Sequence, residues 1–299
     1  MRDIYGPDIN DEWRSRPLLN AYLSCMPLAS FIHTVLVVAW LSVSCSNTPA
    51  NTQADIVNRP ANLNITLRYT GNMGVLISSD KAAVIVDGLH TFYREAYLPP
   101  PDSVVEAIMQ QQGVYNNLRY ALFTHHHRDH FSSMLSRRFL QVSPANKVAG
   151  SRQILDSLLP KNPAIVNAWD RNGVILRDVA LDVTISSFNI PHTGYRGRHA
   201  SVQNIAYVIT MNGNTVLHIG DAETETADAF ARFNDLAPDV AVVPIWFLHS
   251  EDGRRIISSI APKMVIATHI EPGATPDASA LHLKTIPTYF FTWIGQVIP

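Results

Sequence analysis

The most informative part of this chain reads Thr124-His125-His126-His127-Arg128-Asp129-His130, directly after the apolar run Tyr120-Ala121-Leu122-Phe123. It contains the pattern His-x-His-x-Asp-His, which places four potential metal ligands within six positions. Neutral imidazoles and a carboxylate suit zinc and similar borderline ions. One helical turn cannot direct four such side chains to a common point, whereas a loop leaving a strand can. A surface histidine cluster is the alternative, but the recurrence of ligand types further along the chain favours a metal site.

The further potential ligands each follow an apolar, strand-like run. They are Asp87, His192, Asp221 and His269. In folded α/β proteins the sheet fixes the origin of every loop, so functional groups gather where strands end. The sequence therefore predicts an α/β fold in which several strand ends converge on one site.

Hydrophobic periodicity and turn residues predict the remaining elements of the body. Strands are predicted at residues 65–70, 75–77, 82–86, 120–123, 183–190, 205–211, 215–219, 240–245 and 265–268. Helices are predicted at residues 104–112, 131–139, 224–233 and 251–260, the first of them capped by Asp102-Ser103. Asn212-Gly213-Asn214 is typical of a hairpin turn.

Composition excludes few classes of function. The chain has 299 residues, of which 46% are apolar and 16% charged, and this is typical of a globular protein with a well-filled core. The formal net charge of −2 gives no general attraction to nucleic acid, and no Lys/Arg run forms a basic groove. We therefore expect no nucleic-acid partner.

The N-terminal segment is typical of an exported protein. No charged residue occurs from position 17 to 54, an apolar run occupies residues 28–43, and Arg14 and Arg16 precede it. The small residues before Cys45 resemble a bacterial lipoprotein box, although the leucine lies four positions before the cysteine instead of three. Lipidation at Cys45, simple cleavage, a retained helix and a buried core helix all remain open.

These features divide the chain into three parts. Residues 1–45 are interpreted as a signal peptide or membrane anchor, residues 46–62 as a polar linker, and residues 63–299 as the folded domain. The only cysteines, Cys25 and Cys45, lie in the first part, so the folded domain has no disulfide. We expect the protein to be exported to the periplasm or cell surface and tethered to the membrane.

The order of the potential ligands resembles the metallo-β-lactamase superfamily. Asp87, the loop at 125–130, His192, Gly220-Asp221 and His269 match all five sequence motifs of that superfamily, from about residue 63 to the C-terminal region. The resemblance implies a four-layer αββα sandwich, an α/β (α+β) fold, with a two-metal cleft at one edge. It covers nearly the whole chain after the linker.

The resemblance also implies a role for each of these residues. One metal would be held by His125, His127 and His192, and the second by Asp129, His130 and His269. Asp221 would bridge the two metals, and Asp87 would hydrogen-bond a ligand histidine or nearby backbone. His126 should point away from the metals.

Two divalent metals about 3.5–4 Å apart lower the pKa of a bridging water. The resulting hydroxide would attack a carbonyl or phosphoryl centre, and Asp129 would orient the nucleophile or pass a proton to the leaving group. Zn²⁺ is the favoured ion, with Mn²⁺ or Fe²⁺ as alternatives.

Departures from the family pattern narrow the expected function. Asp221 stands where several antibiotic-hydrolysing members carry cysteine or serine, and His127 stands where the di-iron flavoproteins carry an acidic residue. Gly71-Asn-Met-Gly74 and Asp87-Gly88 look most like the branch of ascorbate-phosphate lactonase and N-acylphosphatidylethanolamine phospholipase. Ser132-Ser133 replaces the glycines that often follow the histidine loop.

The sequence thus predicts a binuclear metal-dependent hydrolase acting on an ester, lactone or phosphodiester, with a small-molecule or lipid-like substrate. An exported β-lactamase-type amide hydrolase and a non-catalytic metal-binding scaffold are the alternatives. Among the other histidines, His218 is interpreted as structural, and His90, His249 and His282 are candidates for the cleft border. The loops at 89–101 and 195–202 are expected to shape specificity.

Overall fold

The computed structural model describes residues 63–158, 162–169, 171–277, 283 and 286–298. The predicted signal or anchor at 1–45, the linker at 46–62 and His282 lie outside this part of the chain. No helix within the described ranges combines the length and the apolar character that a membrane crossing requires.

The first of two sheets has seven strands, in the order β14-β1-β2-β3-β4-β5-β6. These strands are β1 (Thr66–Gly71), β2 (Gly74–Ser78), β3 (Ala83–Val86), β4 (Leu118–Leu122), β5 (Lys147–Gly150), β6 (Ile165–Asn167) and β14 (Val297–Ile298). Neighbours from β14 to β3 pair antiparallel, and neighbours from β3 to β6 pair parallel. The sheet is therefore mixed, with the strand before the histidine loop in its parallel half.

The second sheet also has seven strands, in the order β13-β12-β11-β10-β9-β8-β7. They are β7 (Gly173–Asp178), β8 (Val183–Ile190), β9 (Asn204–Met211), β10 (Asn214–His218), β11 (Val240–Pro244), β12 (Val265–Thr268) and β13 (Thr288–Phe290). Strands β7 to β10 pair antiparallel and β10 to β13 pair parallel. The two sheets thus share the same division into an antiparallel and a parallel half.

The helices are short and lie between the strands along the chain. They are α1 (Asp102–Met109), α2 (Ser133–Val142), α3 (Arg152–Asp156), α4 (Ala227–Phe230), α5 (Trp246–His249) and α6 (Glu251–Ile260), with 3₁₀ turns at Gly113–Tyr115 and Ala231–Phe233. Helix α6 is strongly amphipathic, and its buried face carries Ile256, Ile257 and Ile260.

Three apolar clusters define the layers. One joins the inner faces of the two sheets, where side chains such as Leu67 and Val75 pack with Tyr207. A second packs α1 and α2 onto the outer face of the first sheet, and a third packs α5 and α6 onto the outer face of the second. Burying each large aliphatic side chain contributes about 1.5–3 kcal/mol, so these clusters hold the layers together. This confirms the predicted αββα sandwich.

Most of the predicted strands are found within a residue or two of their expected positions. Strands β8 and β12 and helix α6 have the predicted bounds. The hairpin turn between β9 and β10 places Asn212 at φ 49° and Gly213 at φ 78°. Both residues are thus left-handed, as a type I′ turn requires.

Helix boundaries differ from the prediction. Helix α1 begins at Asp102 because the Pro101 carbonyl already accepts from Val104 N and Val105 N, and no Asp102 or Ser103 side chain caps the first turn. Helix α2 begins at Ser133 instead of residue 131, because the hydroxyl of Ser132 accepts from Leu135 N as the N-cap. The predicted helix at 224–233 reduces to α4 followed by a 3₁₀ turn.

Several elements carry no clear pattern in the sequence and were not predicted. They are β5, β6, β7, β13, β14, α3, α5 and the 3₁₀ turn at Gly113–Tyr115. Most of them have six residues or fewer and lie at or near sheet edges, where partial exposure weakens the alternation of polar and apolar residues. Tertiary pairing, not local pattern, selects them.

Candidate metal centre

Potential ligands from both sheets meet at one edge of the sandwich. The histidine loop follows β4 of the first sheet, and Asp87 follows β3 beside it. His192, Asp221 and His269 follow β8, β10 and β12 of the second sheet. Every one of these side chains therefore starts from the end of a hydrogen-bonded strand, which holds its backbone in place.

Three of these strand ends have left-handed backbone. The φ angles are 50° at Asp87, 55° at Gly220 and 58° at His269. Non-glycine residues adopt this region rarely, and it concentrates at functional sites. At Gly220 a Cβ would lie 2.6 Å from the Thr124 Cβ, so glycine is required where the Asp221 loop crosses the histidine loop.

The first cluster of potential ligands, the three-histidine group, consists of His125, His127 and His192. The Nε2 atom of His125 lies 3.0 Å from Nδ1 of His127 and 3.3 Å from Nε2 of His192. Three ring nitrogens therefore converge on one small volume. Since a neutral imidazole has one nitrogen lone pair to offer, this arrangement suits a shared cation better than mutual hydrogen bonding.

The second cluster, the mixed group, consists of Asp129, His130, Asp221 and His269. Nε2 of His130 lies 3.3 Å from Asp221 Oδ1 and 3.5 Å from Asp129 Oδ2. Nε2 of His269 lies 3.4 Å from Asp221 Oδ2 and 3.5 Å from Asp129 Oδ2. Two imidazoles thus alternate with two carboxylates around a common point.

Asp221 lies between the two groups. Besides its contacts in the mixed group, its Oδ2 is 3.8 Å from His192 Nε2 and 4.0 Å from His125 Nε2. Its Oδ1 is buried with no hydrogen-bond partner among the described residues, so the approach of His130 is an ion-pair contact only. A buried carboxylate oxygen in this state is suited to a cation. The residues of both groups fit divalent metals by donor type and by convergence.

The histidines of the three-histidine group are held in the neutral form. Burial lowers the pKa of His125 well below its usual value, and the charge of His130 adds to the effect. Burial, followed by the neighbouring histidines, lowers the pKa of His127 to about 4. Burial also lowers the pKa of His192. Neutral imidazole is the form that binds metal.

In the mixed group the histidines have raised pKa values and are held in the charged form. Burial by itself disfavours the charged form of His130, but the carboxylates of Asp221, Asp129 and Asp87 outweigh it and raise the pKa of His130 well above its usual value. The same competition raises the pKa of His269 to about 9, mainly through Asp221. Despite burial, His130 lowers the pKa of Asp129 and of Asp221. Without a metal, protons on these histidines balance the carboxylates.

A second layer of hydrogen bonds orients the potential ligands. Asp87 is fully buried, and its Oδ2 lies 2.9 Å from His130 Nδ1. The same carboxylate accepts from the backbone N and the hydroxyl of Thr124, at 2.8 and 2.6 Å. Nδ1 of His192 lies 2.7 Å from the carbonyl oxygen of Thr193. Such contacts fix the ring orientation and tautomer of a ligand histidine.

The structure thus brings together all seven residues that the sequence singled out as metal ligands, with Asp87 behind them. His126 belongs to neither group. His218 is buried at the end of β10, with Nε2 3.0 Å from the carbonyl oxygen of Met73 and Nδ1 accepting from Gly220 N, so it is structural.

Two of the candidate border histidines lie elsewhere. His90 is buried and lines a separate cavity beside Phe92 and Met134. His249 is exposed at the end of α5. Neither lines the cleft of the two ligand groups.

Sequence reasoning missed Asn72 as a site residue. Its side-chain nitrogen donates to Asp129 Oδ2 and to the Asp129 carbonyl, both at 3.0 Å. Its own carbonyl accepts from His269 N at 3.0 Å, so one residue fastens two ligands of the mixed group. Its left-handed φ of 47° belongs to the Gly71-Asn-Met-Gly74 turn, and an asparagine between glycines was the available signal.

His199 was also missed. Its Nδ1 lies 2.9 Å from the Thr193 carbonyl, the same oxygen that His192 contacts. Its ring centroid is 5.0 Å from that of His127 and 4.7 Å from that of His192. Only its membership of the 195–202 loop, expected to shape specificity, pointed to it.

The two groups lie at the floor of an open cleft of about 840 Å³. Tyr97 and Trp246 flank His269, with ring centroids 5.3 and 5.0 Å from it. The remaining wall residues include Tyr93, Thr193 and three arginines. The cleft is large enough for a small-molecule substrate.

Comparison with protein families gives one match that spans most of this fold. The family profile described as "Beta-lactamase superfamily domain" matches residues 66–269. This range runs from β1 to His269 and contains every residue of both ligand groups. None of the curated proteins matches the chain in sequence.

Solved structures resemble the chain at low identity. Igni18, a metallo hydrolase from Ignicoccus hospitalis, is 18% identical with a TM-score of 0.54, covering 78% of this chain and 97% of its own. The metallo-beta-lactamase fold protein YhfI from Bacillus subtilis is 15% identical with a TM-score of 0.55, covering 78% and 98%. CmlA, a diiron beta-hydroxylase from Streptomyces venezuelae, is 13% identical with a TM-score of 0.52, covering 80% and 55%. At these identities the likeness shows the shared fold.

Proposed function

The chain belongs to the beta-lactamase superfamily, and from this premise we propose that it is a metal-dependent hydrolase that uses two divalent metal ions to hydrolyse an ester, lactone or phosphodiester. The ligands of the first ion would be His125, His127 and His192. Those of the second would be Asp129, His130 and His269, with Asp221 shared.

The position of Asp221 carries this proposal. One oxygen of its carboxylate lies 3.4 Å from His269 Nε2 and 3.8 Å from His192 Nε2, which belong to different groups. The other lies 3.3 Å from His130 Nε2. A carboxylate that reaches both clusters supplies the shared negative charge that two neighbouring cations need.

With divalent ions held by the two groups, the site would supply a bound water of lowered pKa and a positive charge to polarise the electrophile. Asp129 is 5% exposed at the cleft floor, and Asn72 holds one of its oxygens. In the proposed reaction the water oxygen forms a bond to the carbonyl carbon or phosphorus, and the bond to the leaving oxygen breaks. Asp129 takes the water proton and passes it to that leaving oxygen, which departs as an alcohol.

The donor set supports Zn²⁺ as the ion, with Mn²⁺ or Fe²⁺ as alternatives. The set contains five imidazoles and two carboxylates, and it contains no thiolate. Imidazole suits zinc and iron, whereas carboxylate suits harder ions such as manganese. Because the site contains both donor types, the metals available in the cell also decide which ion binds.

Elemental analysis of the purified protein tests the proposal, combined with hydrolysis of bis-p-nitrophenyl phosphate and a panel of lactones. We expect about two metals per chain, turnover of at least one substrate, and loss of turnover after chelation with recovery on addition of Zn²⁺. Metal content near zero after Zn²⁺ is supplied would contradict the two-metal site. Two metals without any hydrolysis would favour the scaffold alternative.

We also propose that residues 1–45 direct export and tether the enzyme to a membrane. The uncharged stretch with its apolar run, and Cys45 after small residues, support this. Replacing Cys45→Ser should release the protein from the membrane fraction if that cysteine is lipidated. Continued retention would favour an uncleaved helix over a lipid anchor.

A further inference from the structure

The walls of the metal cleft carry an excess of positive charge. Arg94, Arg128 and Arg198 line it, together with only two acidic residues, Asp129 and Asp221. Both carboxylates are directed at the histidines of the ligand groups. The chain as a whole has a net charge of −2, so this excess is local. Two divalent ions on the floor would increase it further.

These three arginines are not used to hold the fold. Neither Arg128 nor Arg198 makes a hydrogen bond or ion pair with another described residue, and the guanidinium of Arg94 only lies over the Tyr93 ring, at 4.8 Å. By contrast, Arg196 in the same loop as Arg198 pairs with Glu225 at 3.6 Å. The guanidinium groups that line the cleft therefore have hydrogen-bond donors available for a ligand.

The arginines belong to loops that lie beside different ligand groups. Arg128 lies between two potential ligands in the histidine loop, and Arg198 precedes His199, whose ring lies 4.7 Å from that of His192. Arg94 belongs to the loop of Tyr97, whose ring packs edge-on to His269 of the mixed group at 5.3 Å. Loops beside both ligand groups therefore contribute an arginine to the cleft wall.

Resting on the proposed function, we propose that the substrate of this site is an anionic phosphate ester, bound through its phosphate oxygens by Arg94, Arg128 and Arg198. A guanidinium presents paired N–H donors that match phosphate oxygens, and charge-assisted bonds of this kind are stronger than neutral ones. A neutral lactone or carboxylic ester offers no anion to these groups. The three arginines therefore favour a phosphate ester over a neutral lactone or carboxylic ester as the substrate.

Two reporter substrates with the same leaving group test this selection. Bis-p-nitrophenyl phosphate is anionic and p-nitrophenyl acetate is neutral, and both release p-nitrophenolate. The variants are Arg94→Gln, Arg128→Gln and Arg198→Gln, and Arg196→Gln is the matched control because its side chain pairs outside the cleft. Arg198→Lys separates the charge from the paired-donor geometry.

We expect each cleft variant to lower the ratio of kcat/KM for the phosphodiester to kcat/KM for the acetate by about tenfold, mainly through KM. Arg196→Gln should leave the ratio unchanged, and Arg198→Lys should recover part of the loss. High salt should lower the ratio for the wild type, because charge screening weakens exposed contacts. Ratios within about twofold of wild type in all three variants would overturn the inference.

A binding measurement separates failure of this inference from failure of the proposed function. Inorganic phosphate is titrated into the Zn²⁺-loaded protein by calorimetry, with no turnover required. Weaker binding in the three cleft variants than in Arg196→Gln supports the inference even if neither reporter is hydrolysed. Equal binding in all of them rejects it, whereas loss of hydrolysis alone rejects only the catalytic proposal.

Discussion

The two ligand groups of this protein are built from different chemistry although they share one cleft. The three-histidine group carries no charge of its own, and burial together with neighbouring positive charge lowers the pKa of each imidazole. The mixed group sets two carboxylates against two histidines and raises the pKa of both histidines. The imidazoles of the first group are therefore neutral, whereas in the second group the protons on His130 and His269 balance the charge of the two carboxylates.

This difference shows how each group depends on its surroundings. The mixed group has its own negative charge and is fastened by Asp87 and Asn72. The three-histidine group has only Asp221, shared with the other group, as a nearby carboxylate. A change at Asp221 should therefore affect both groups, whereas changes at other positions should separate them.

The largest effect is expected from Asp221→Ala. The substitution removes the one carboxylate that reaches both groups, so metal content should fall at both sites. We expect kcat/KM to drop by roughly a thousandfold or more. Elemental analysis and kinetics measure the two effects, and a thermal melt checks that the variant is folded. Two metals retained in a folded variant would show that Asp221 does not join the groups.

Asp129→Ala should lower metal binding at the mixed group and leave the three-histidine group intact. Asp129 Oδ2 lies 3.5 Å from Nε2 of His130 and of His269, and Asp129 forms no ion pair with a member of the three-histidine group. We expect about one metal per chain to remain, held by the three-histidine group, and activity to fall about 100- to 1000-fold. Unchanged turnover would contradict the role given to Asp129.

Asp87→Asn tests the support behind the mixed group. Asp87 belongs to neither ligand group, but its Oδ2 lies 2.9 Å from His130 Nδ1. The substitution to asparagine removes the negative charge of the side chain and keeps its size. We expect metal affinity at the mixed group, or activity, to fall about 10- to 100-fold. Asp80→Asn, which changes an exposed aspartate in the turn between β2 and β3, is the control. A uniform loss of affinity at both groups would indicate a general effect on folding instead.

The smallest effect is expected from His126→Ala. His126 lies between two members of the three-histidine group in sequence but belongs to neither cluster. Metal content should be unchanged and activity should stay within about twofold of wild type. A drop to one metal per chain would mean that the loop presents His126, and not a neighbour, to the centre.

The sequence predicted the elements whose patterns are long or regular. Strand β8 alternates buried and partly exposed residues, and α6 has a continuous apolar stripe, so both were located with correct bounds. Strands β5 and β6 have four residues or fewer and are not buried throughout, unlike the equally short β12, so neither carries a continuous apolar run that marks it. Helix α2 began later than predicted because a cap depends on a single hydroxyl, that of Ser132.

In the candidate site, too, the residues with a local sequence pattern were predicted and those that depend on tertiary contacts were missed. Four potential ligands lie in one short loop, so their type and spacing are visible in the sequence. Asn72 and His199 were missed because their roles depend on contacts with residues distant in sequence, at Asp129 and at His127. The unpaired state of Arg128 and Arg198 is likewise a property of the folded surface.

The sequence by itself therefore determined the ligand types, their order along the chain and the strand ends from which they start. Those are local properties, because each follows from residue identity and from a short hydrophobic pattern. The resemblance to the superfamily implied which ligands share a group and that Asp221 lies between the groups. Only the tertiary structure decided that Asn72 fastens two ligands of the mixed group and which charged side chains face the cleft. These depend on how two sheets pack across a common core, and that packing is the sum of many distant contacts.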